Sequence, residues 1–135
     1  MAYEENIKSI SFDADASIGI YTGVPGQPGS AIPNGGRQFR LLKLTGKNQV
    51  GLATAGTDRV IGVLQNKPQK PGMAATVGQE GVTMLTAGAA VAVGDALVAD
   101  AQGRAVTGSP AAGSKTLVAV TPAAGAGELF SAEFI

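Results

Sequence analysis

Cysteine and histidine are both absent from this 135-residue chain, and each absence removes a class of chemistry. Without cysteine there is no thiolate nucleophile, no disulfide staple and no zinc thiolate. Without histidine there is no imidazole acid or base and no usual metal-ligating ring nitrogen. A serine nucleophile would then need a lysine base, and no Ser-x-x-Lys occurs. The acidic pair Glu4-Glu5 lies near the start of the chain, a poor place to hold two carboxylates at a fixed catalytic separation. We therefore expect no enzyme and no cofactor. Function must lie in shape and contact.

Large side chains are also few. The aromatic residues are Tyr3, Phe12, Tyr21, Phe39, Phe130 and Phe134, so Val, Ile, Leu and Ala must fill everything between Phe39 and Phe130. Such a core is thin, because a buried alanine contributes far less than a buried leucine while the ordering entropy is unchanged. Lys plus Arg and Asp plus Glu number ten each, so no summed field draws the chain to nucleic acid or an anionic bilayer. No apolar run reaches the roughly 20 residues of a membrane span. The opening MAYEENIKSI is polar and does not read as a signal peptide, which leads us to expect a protein made in a cytoplasm.

What is present is short extended segments punctuated by Gly, Pro and Asp. From Ile10 to Ile20 every even position is apolar (Ile10, Phe12, Ala14, Ala16, Ile18, Ile20), a period of two that marks a strand with one dry face. Residues 22–36, TGVPGQPGSAIPNGG, form a long Gly/Pro-rich loop. Residues 38–45 and 49–53 read as a hairpin joined through Gly46-Lys47-Asn48. DRVIGVL, residues 58–64, is apolar on both parities and suits a strand covered on both faces. Further short strands are expected at 74–77, 82–86, 96–99, 104–107, 117–121 and 128–135, with helix limited to a turn near 54–58 or 87–93. DRVIGVL with PGMAATV is echoed by SKTLVAV with AGELFSA, each a strand, a tight linker and a strand. The fold class expected is all-β, a small antiparallel β-sandwich or β-barrel in a single domain over residues 9–135, with residues 1–8 as a mobile, extended N-terminal arm.

Several constellations fail on inspection. Asp13-Ala14-Asp15-Ala16-Ser17 opens like a calcium loop, but Ile18 stands where its glycine belongs and Val24 where its closing glutamate belongs. Gly23, Gly26 and Gly29 are not followed by Lys-Ser/Thr, so no phosphate cradle is expected. A lipoyl or biotinyl carrier would need a lysine at a hairpin tip beside methionine, and Lys115 stands in Gly-Ser-Lys-Thr-Leu instead. Asp95 and Asp100 read as turn formers whose carboxylates accept local backbone N–H bonds. Arg37, Arg40, Lys43 and Lys47 cluster around the first hairpin and offer a basic patch for an acidic partner surface.

The phrases IGV (61–63), PGMAATV (71–77), VGDAL (93–97), ADAQGRAV (99–106) and GELF (127–130) together resemble the small capsid decoration, or cement, proteins of tailed bacteriophages. The resemblance covers residues 58–135. It implies a virion structural protein that binds the outer surface of the phage head, on the major capsid protein, and stabilises the capsid. On that basis the capsid-binding residues expected are Tyr3 and Ile7 of the arm with Arg37, Arg40, Lys43 and Lys47. A homotrimer is expected, with Phe130, Phe134 and Ile135 of the last strand as oligomer contacts. The alternative is a carbohydrate- or receptor-binding β domain on a phage particle, for which Tyr21 is the loop aromatic able to stack on a sugar.

Overall fold

The computed structural model describes residues 5–18, 37–68 and 70–135, and among these the regular structure is nine strands and one 3₁₀ turn. The first strand, β1, runs Glu5–Ala14 and leads into the turn Ala16–Ile18. β2 (Leu41–Gly46) and β3 (Gln49–Leu52) form the expected hairpin. Its tip is Lys47-Asn48, and Asn48 takes the positive φ of 53° that a tight hairpin requires and asparagine tolerates. β4 is Gly62–Leu64, and β5 is the long Ala74–Thr86.

These five strands close on themselves. β3 pairs antiparallel with β2, β2 with β4, and β4 with β5. β1 then pairs antiparallel with β5 from Glu5↔Val82 to Asp13↔Ala74, and its end pairs in parallel with β3 through Asp13↔Gln49 and Ala14↔Val50. Closure removes the exposed strand edge that an open sheet would present. The inward side chains of β1 keep the period of two: Phe12 is half-buried and Ala14 buried, and Ile18 follows them into the interior. Ile10 at the far end is 49% exposed, and Ala16 in the turn is exposed.

β5 outlasts the ring. Its second half pairs with β9 (Leu129–Phe134) from Val82↔Glu133 to Thr86↔Leu129, and β9 pairs in turn with β8 (Leu117–Ala119). The β1–β5 ladder slips on either side of the Lys8↔Glu80 pair, beside Gly81 of β5 at φ 98°. A bulge of this kind bends and twists a strand, which lets one strand serve two cores. β6 (Leu97–Ala99) and β7 (Ala105–Thr107) form a separate hairpin. Single bridges Ala96↔Val118 and Ala87↔Ala105 tie that hairpin to the main sheet. The echo between DRVIGVL/PGMAATV and SKTLVAV/AGELFSA corresponds to two antiparallel neighbours, β4 with β5 and β8 with β9.

Two hydrophobic cores lie on opposite faces of the β3–β2–β4 wall. Leu42, Leu52 and Leu64 point into the ring with Ala14, Ile18, Val50, Ala75 and Val77. Their chain neighbours Leu41, Ala53 and Val63 point the other way, into a larger core with Leu85, Leu97, Leu117 and Phe130. This is why DRVIGVL is apolar on both parities: Val60 and Val63 face one core, Ile61 and Leu64 the other.

Two expectations need correction. The strand begins at Glu5, so the backbone of residues 5–8 is part of the ring and not of a separate arm; only residues 1–4 of that arm lie outside the described residues. Backbone pairing with β5 continues through a stretch that has no apolar alternation of its own. Phe130 is 0% exposed within the chain's own larger core, because β9 is an interior strand between β5 and β8. Its side chain is taken up by the chain's own packing and is not on the surface. The Gly/Pro-rich loop, residues 22–36, also falls outside the described residues.

Candidate functional site

The basic residues around the first hairpin separate into three settings. Lys43 is committed internally: its Nζ donates to Asp58 Oδ2 at 3.0 Å, and the same oxygen accepts the Thr54 N–H at 2.8 Å. The Thr54 N–H first, and Lys43 second, hold the Asp58 carboxyl below its usual pKa. Lys43 therefore clamps the 54–58 turn, which closes through Asp58 N–H to the Ala55 carbonyl. Lys47 stands exposed at the hairpin tip. Arg37 and Arg40 lie apart from both, just before β2.

Phe39 fixes the position of these two arginines. It has a φ of 62°, unusual for a residue with a β-carbon. Both of its backbone groups are bonded: its N–H donates to the Leu64 carbonyl at 2.7 Å, and its carbonyl accepts the Thr86 N–H at 2.9 Å. The segment is thereby pinned between the end of β4 and the end of β5. Leu41 N–H then donates to the Gly103 carbonyl and Arg40 Nη1 to the Gln102 carbonyl, both at 2.8 Å. Those bonds bring in a residue that the sequence pattern missed, Arg104. Its distance along the chain from Arg40 hid it, although Asp100 and Arg104 at i and i+4 give a local sign of a charged turn.

The Asp100 turn is saturated from within. Oδ1 accepts the N–H groups of Gln102 and Arg104 at 2.8 and 2.9 Å, and Oδ2 accepts Arg104 Nε at 2.9 Å. A β-carbon on Gly88 would collide with this carboxylate, so glycine is needed there. Arg40 has its pKa lowered, by burial first and then by the neighbouring charges of Arg37 and Arg104, with Asp100 acting in the opposite sense. Arg37 Nε is buried and has no hydrogen-bond partner among the described residues.

The remaining candidates are structural or peripheral. Asp95 caps its own turn as the sequence indicates: Oδ2 accepts the Ala92 N–H at 3.0 Å and the Thr107 hydroxyl at 2.8 Å. Asp15 accepts both the N–H and the hydroxyl of Ser17, and Ser17 Oγ in turn accepts the Leu52 N–H at 2.8 Å. The calcium-like stretch is thus a turn buttress on β3. Among the described residues no group of three or more acidic, histidine or cysteine side chains could hold a metal. A cavity of about 220 Å³ is lined by Lys43, Leu44, Arg59 and Ile61. Phe134 packs against the edge of the larger core, and Ile135 is 74% exposed. Tyr3 and Tyr21 lie outside the described residues, and Ile7 is placed by its backbone in β1.

Comparison with known protein families matches residues 42–133 to the phage cement proteins, a span that includes nearly all of β2 and every strand to β9. The chain belongs to the phage cement protein family. It is a structural protein associated with the phage head. No curated protein matches it. Among solved structures it is similar to "head fiber gp8.5 N base in bacteriophage phi29", at 20% identity over 95% of each chain with a TM-score of 0.61, a likeness of fold. In this cement protein the matched region holds Arg104 and the Asp100 turn, while Arg37 and Arg40 precede it.

Proposed function

We propose that this cement protein binds the outer surface of the assembled head by contact with the major capsid protein, and that its occupancy stabilises the shell without catalysis. The observation that carries this reading is the family match across residues 42–133. The fold supports it physically. A five-stranded ring sharing a wall with a second core is rigid, and a rigid plug loses little freedom on docking. Synthesis in the host cytoplasm, followed by addition to the finished head, fits a chain without cysteine.

The test is a comparison of heads lacking this protein with the same heads after saturation by it, challenged by heat. The saturated heads are expected to retain their DNA to a higher temperature. Equal survival of the two would remove the stabilising role. We further propose that the copies meet as trimers on the shell, where three-fold positions are available. Leu129 and Ile135, 44% and 74% exposed at the two ends of β9, are the apolar groups such contacts would cover. The mass of the species released from gently disrupted heads distinguishes a trimer from a monomer.

A further inference from the structure

We propose that Arg37, Arg40 and Arg104 form a receptor for a carboxylate side chain of the head protein on which this chain docks. The inference rests on the head-binding reading and adds to it a place and a partner chemistry.

Positive charge gathers at this point of the fold. Arg40 has two guanidinium neighbours, Arg37 and Arg104, against one carboxylate, Asp100, and that carboxylate is already bonded to Arg104 Nε and two backbone N–H groups. The stretch 19–36 leading into Arg37 contains no Asp or Glu. Elsewhere the described cations are either met, Lys8 by Glu80, Lys43 by Asp58 and Arg59 Nε by the Gly113 carbonyl, or exposed to water, as Lys47, Lys67, Lys70 and Lys115 are. Among the described residues, only here does positive charge outnumber its neighbouring carboxylates in a partly buried place.

Hydrogen bonding gives the same answer independently. Arg37 Nε is buried and unpartnered, and leaving a buried donor unsatisfied costs stability that an isolated domain has no reason to spend. An arriving carboxylate would accept from it and from the free edges of the neighbouring forks, a geometry that guanidinium groups match in pairs. The left-handed backbone at Phe39, held by bonds to β4 and β5, sets Arg37 and Arg40 before docking. A carboxylate is favoured over a nucleic-acid backbone because the charge sits at one focus of a chain with ten cations and ten anions, not along a stripe.

The experiment measures binding of the full chain to heads lacking it, at two ionic strengths, for wild type, Arg37→Gln, Arg37→Gln/Arg40→Gln and Lys47→Gln. Arg37→Gln removes an Nε that has no hydrogen-bond partner among the described residues, so the melting temperature should be unchanged or higher while head binding weakens roughly tenfold or more. The double variant should bind more weakly still and with a shallower salt dependence, whereas Lys47→Gln should stay within about twofold. Wild-type affinity and salt dependence in both arginine variants would overturn the proposal. Loss of binding in step with loss of folding would also overturn it, by marking the arginines as structural. Capture of the wild-type chain by a double-stranded DNA fragment, abolished by the same substitutions, would replace the carboxylate with a phosphate. Failure of the wild-type chain to bind heads at all would instead sink the head-binding reading itself.

Discussion

The two cores on either side of the β3–β2–β4 wall solve the same problem with different materials. The ring interior holds eight buried residues, of which only Ala14 and Ala75 are alanine, and its β1 and β5 run for ten and thirteen residues. The larger core holds fifteen, of which seven are alanine, under strands β6, β7 and β8 of three residues each. Long ladders and branched side chains stabilise the ring. In the other lobe, alanine lets strands approach closely but contributes little apolar area, and carboxylate-capped turns at Asp95 and Asp100 hold what the ladders cannot. A protein poor in large side chains can therefore keep a defined lobe if its turns are bonded and one aromatic anchors it.

That contrast is broken most directly at the anchor. Phe130→Ala should cost about 3–5 kcal/mol, the largest effect of any single truncation, because the alanine-lined walls have few flexible atoms to fill the space. Denaturant unfolding gives the value. A loss under about 1 kcal/mol would show that the lobe does not depend on its aromatic. The ring is tested at Gly62, where an added β-carbon would meet the Gly78 carbonyl oxygen and Val77 Cγ1. Gly62→Ala should destabilise by about 1–3 kcal/mol, since a backbone oxygen cannot swing aside.

Much of this architecture can be read from the residues themselves. Gly, Pro and Asp punctuation locates most strands to within a few positions, although the strands expected at 74–77 and 82–86 are one strand, β5, which runs on through Gly78 and Gly81, and the double parity of DRVIGVL marks a strand covered on both faces. Other features depend on partners distant in the chain. The closure of β1 onto β5 and the parallel contact of β1 with β3 join residues whose local patterns do not mark them. Asn6 and Lys8 give no apolar period, so the start of β1 is invisible locally. In the same way, Phe130 and Phe134 look equivalent by alternation, yet β8 and β5 enclose one and leave the other at the rim. Arg104 joins Arg37 and Arg40 only through the Leu41-to-Gly103 and Arg40-to-Gln102 bonds. The candidate site was therefore half legible: two of its three arginines lie in a visible basic cluster, and Lys43 in that cluster is diverted to Asp58.

The smallest effects are those of the turn carboxylates, and they carry a pH signature. Asp58 and Asp95 both have pKa values lowered in the folded state, by the Thr54 N–H and then Lys43 in one case and by the Ala92 N–H and then the Thr107 hydroxyl in the other. A lowered folded pKa adds stability that is fully present above the ordinary carboxylate value of 3.8 and is lost as the pH falls through the folded value. Stability should thus be level from neutral pH to about 5 and decline below 4. Asp58→Asn and Asp95→Asn should each be less stable at pH 7 and show a shallower acid decline. An acid slope unchanged in both variants would place the sensitivity elsewhere.

On both proposals a rigid two-core plug sits on the outside of the phage head and presents its arginine focus to the shell. A reconstruction of decorated heads tests it most directly. The predicted result is density outside the shell that accommodates the ring and the second lobe, with Arg37 and Arg40 against an acidic side chain of the capsid. Density inside the shell, or an outside position with the arginine focus turned to solvent, would contradict it.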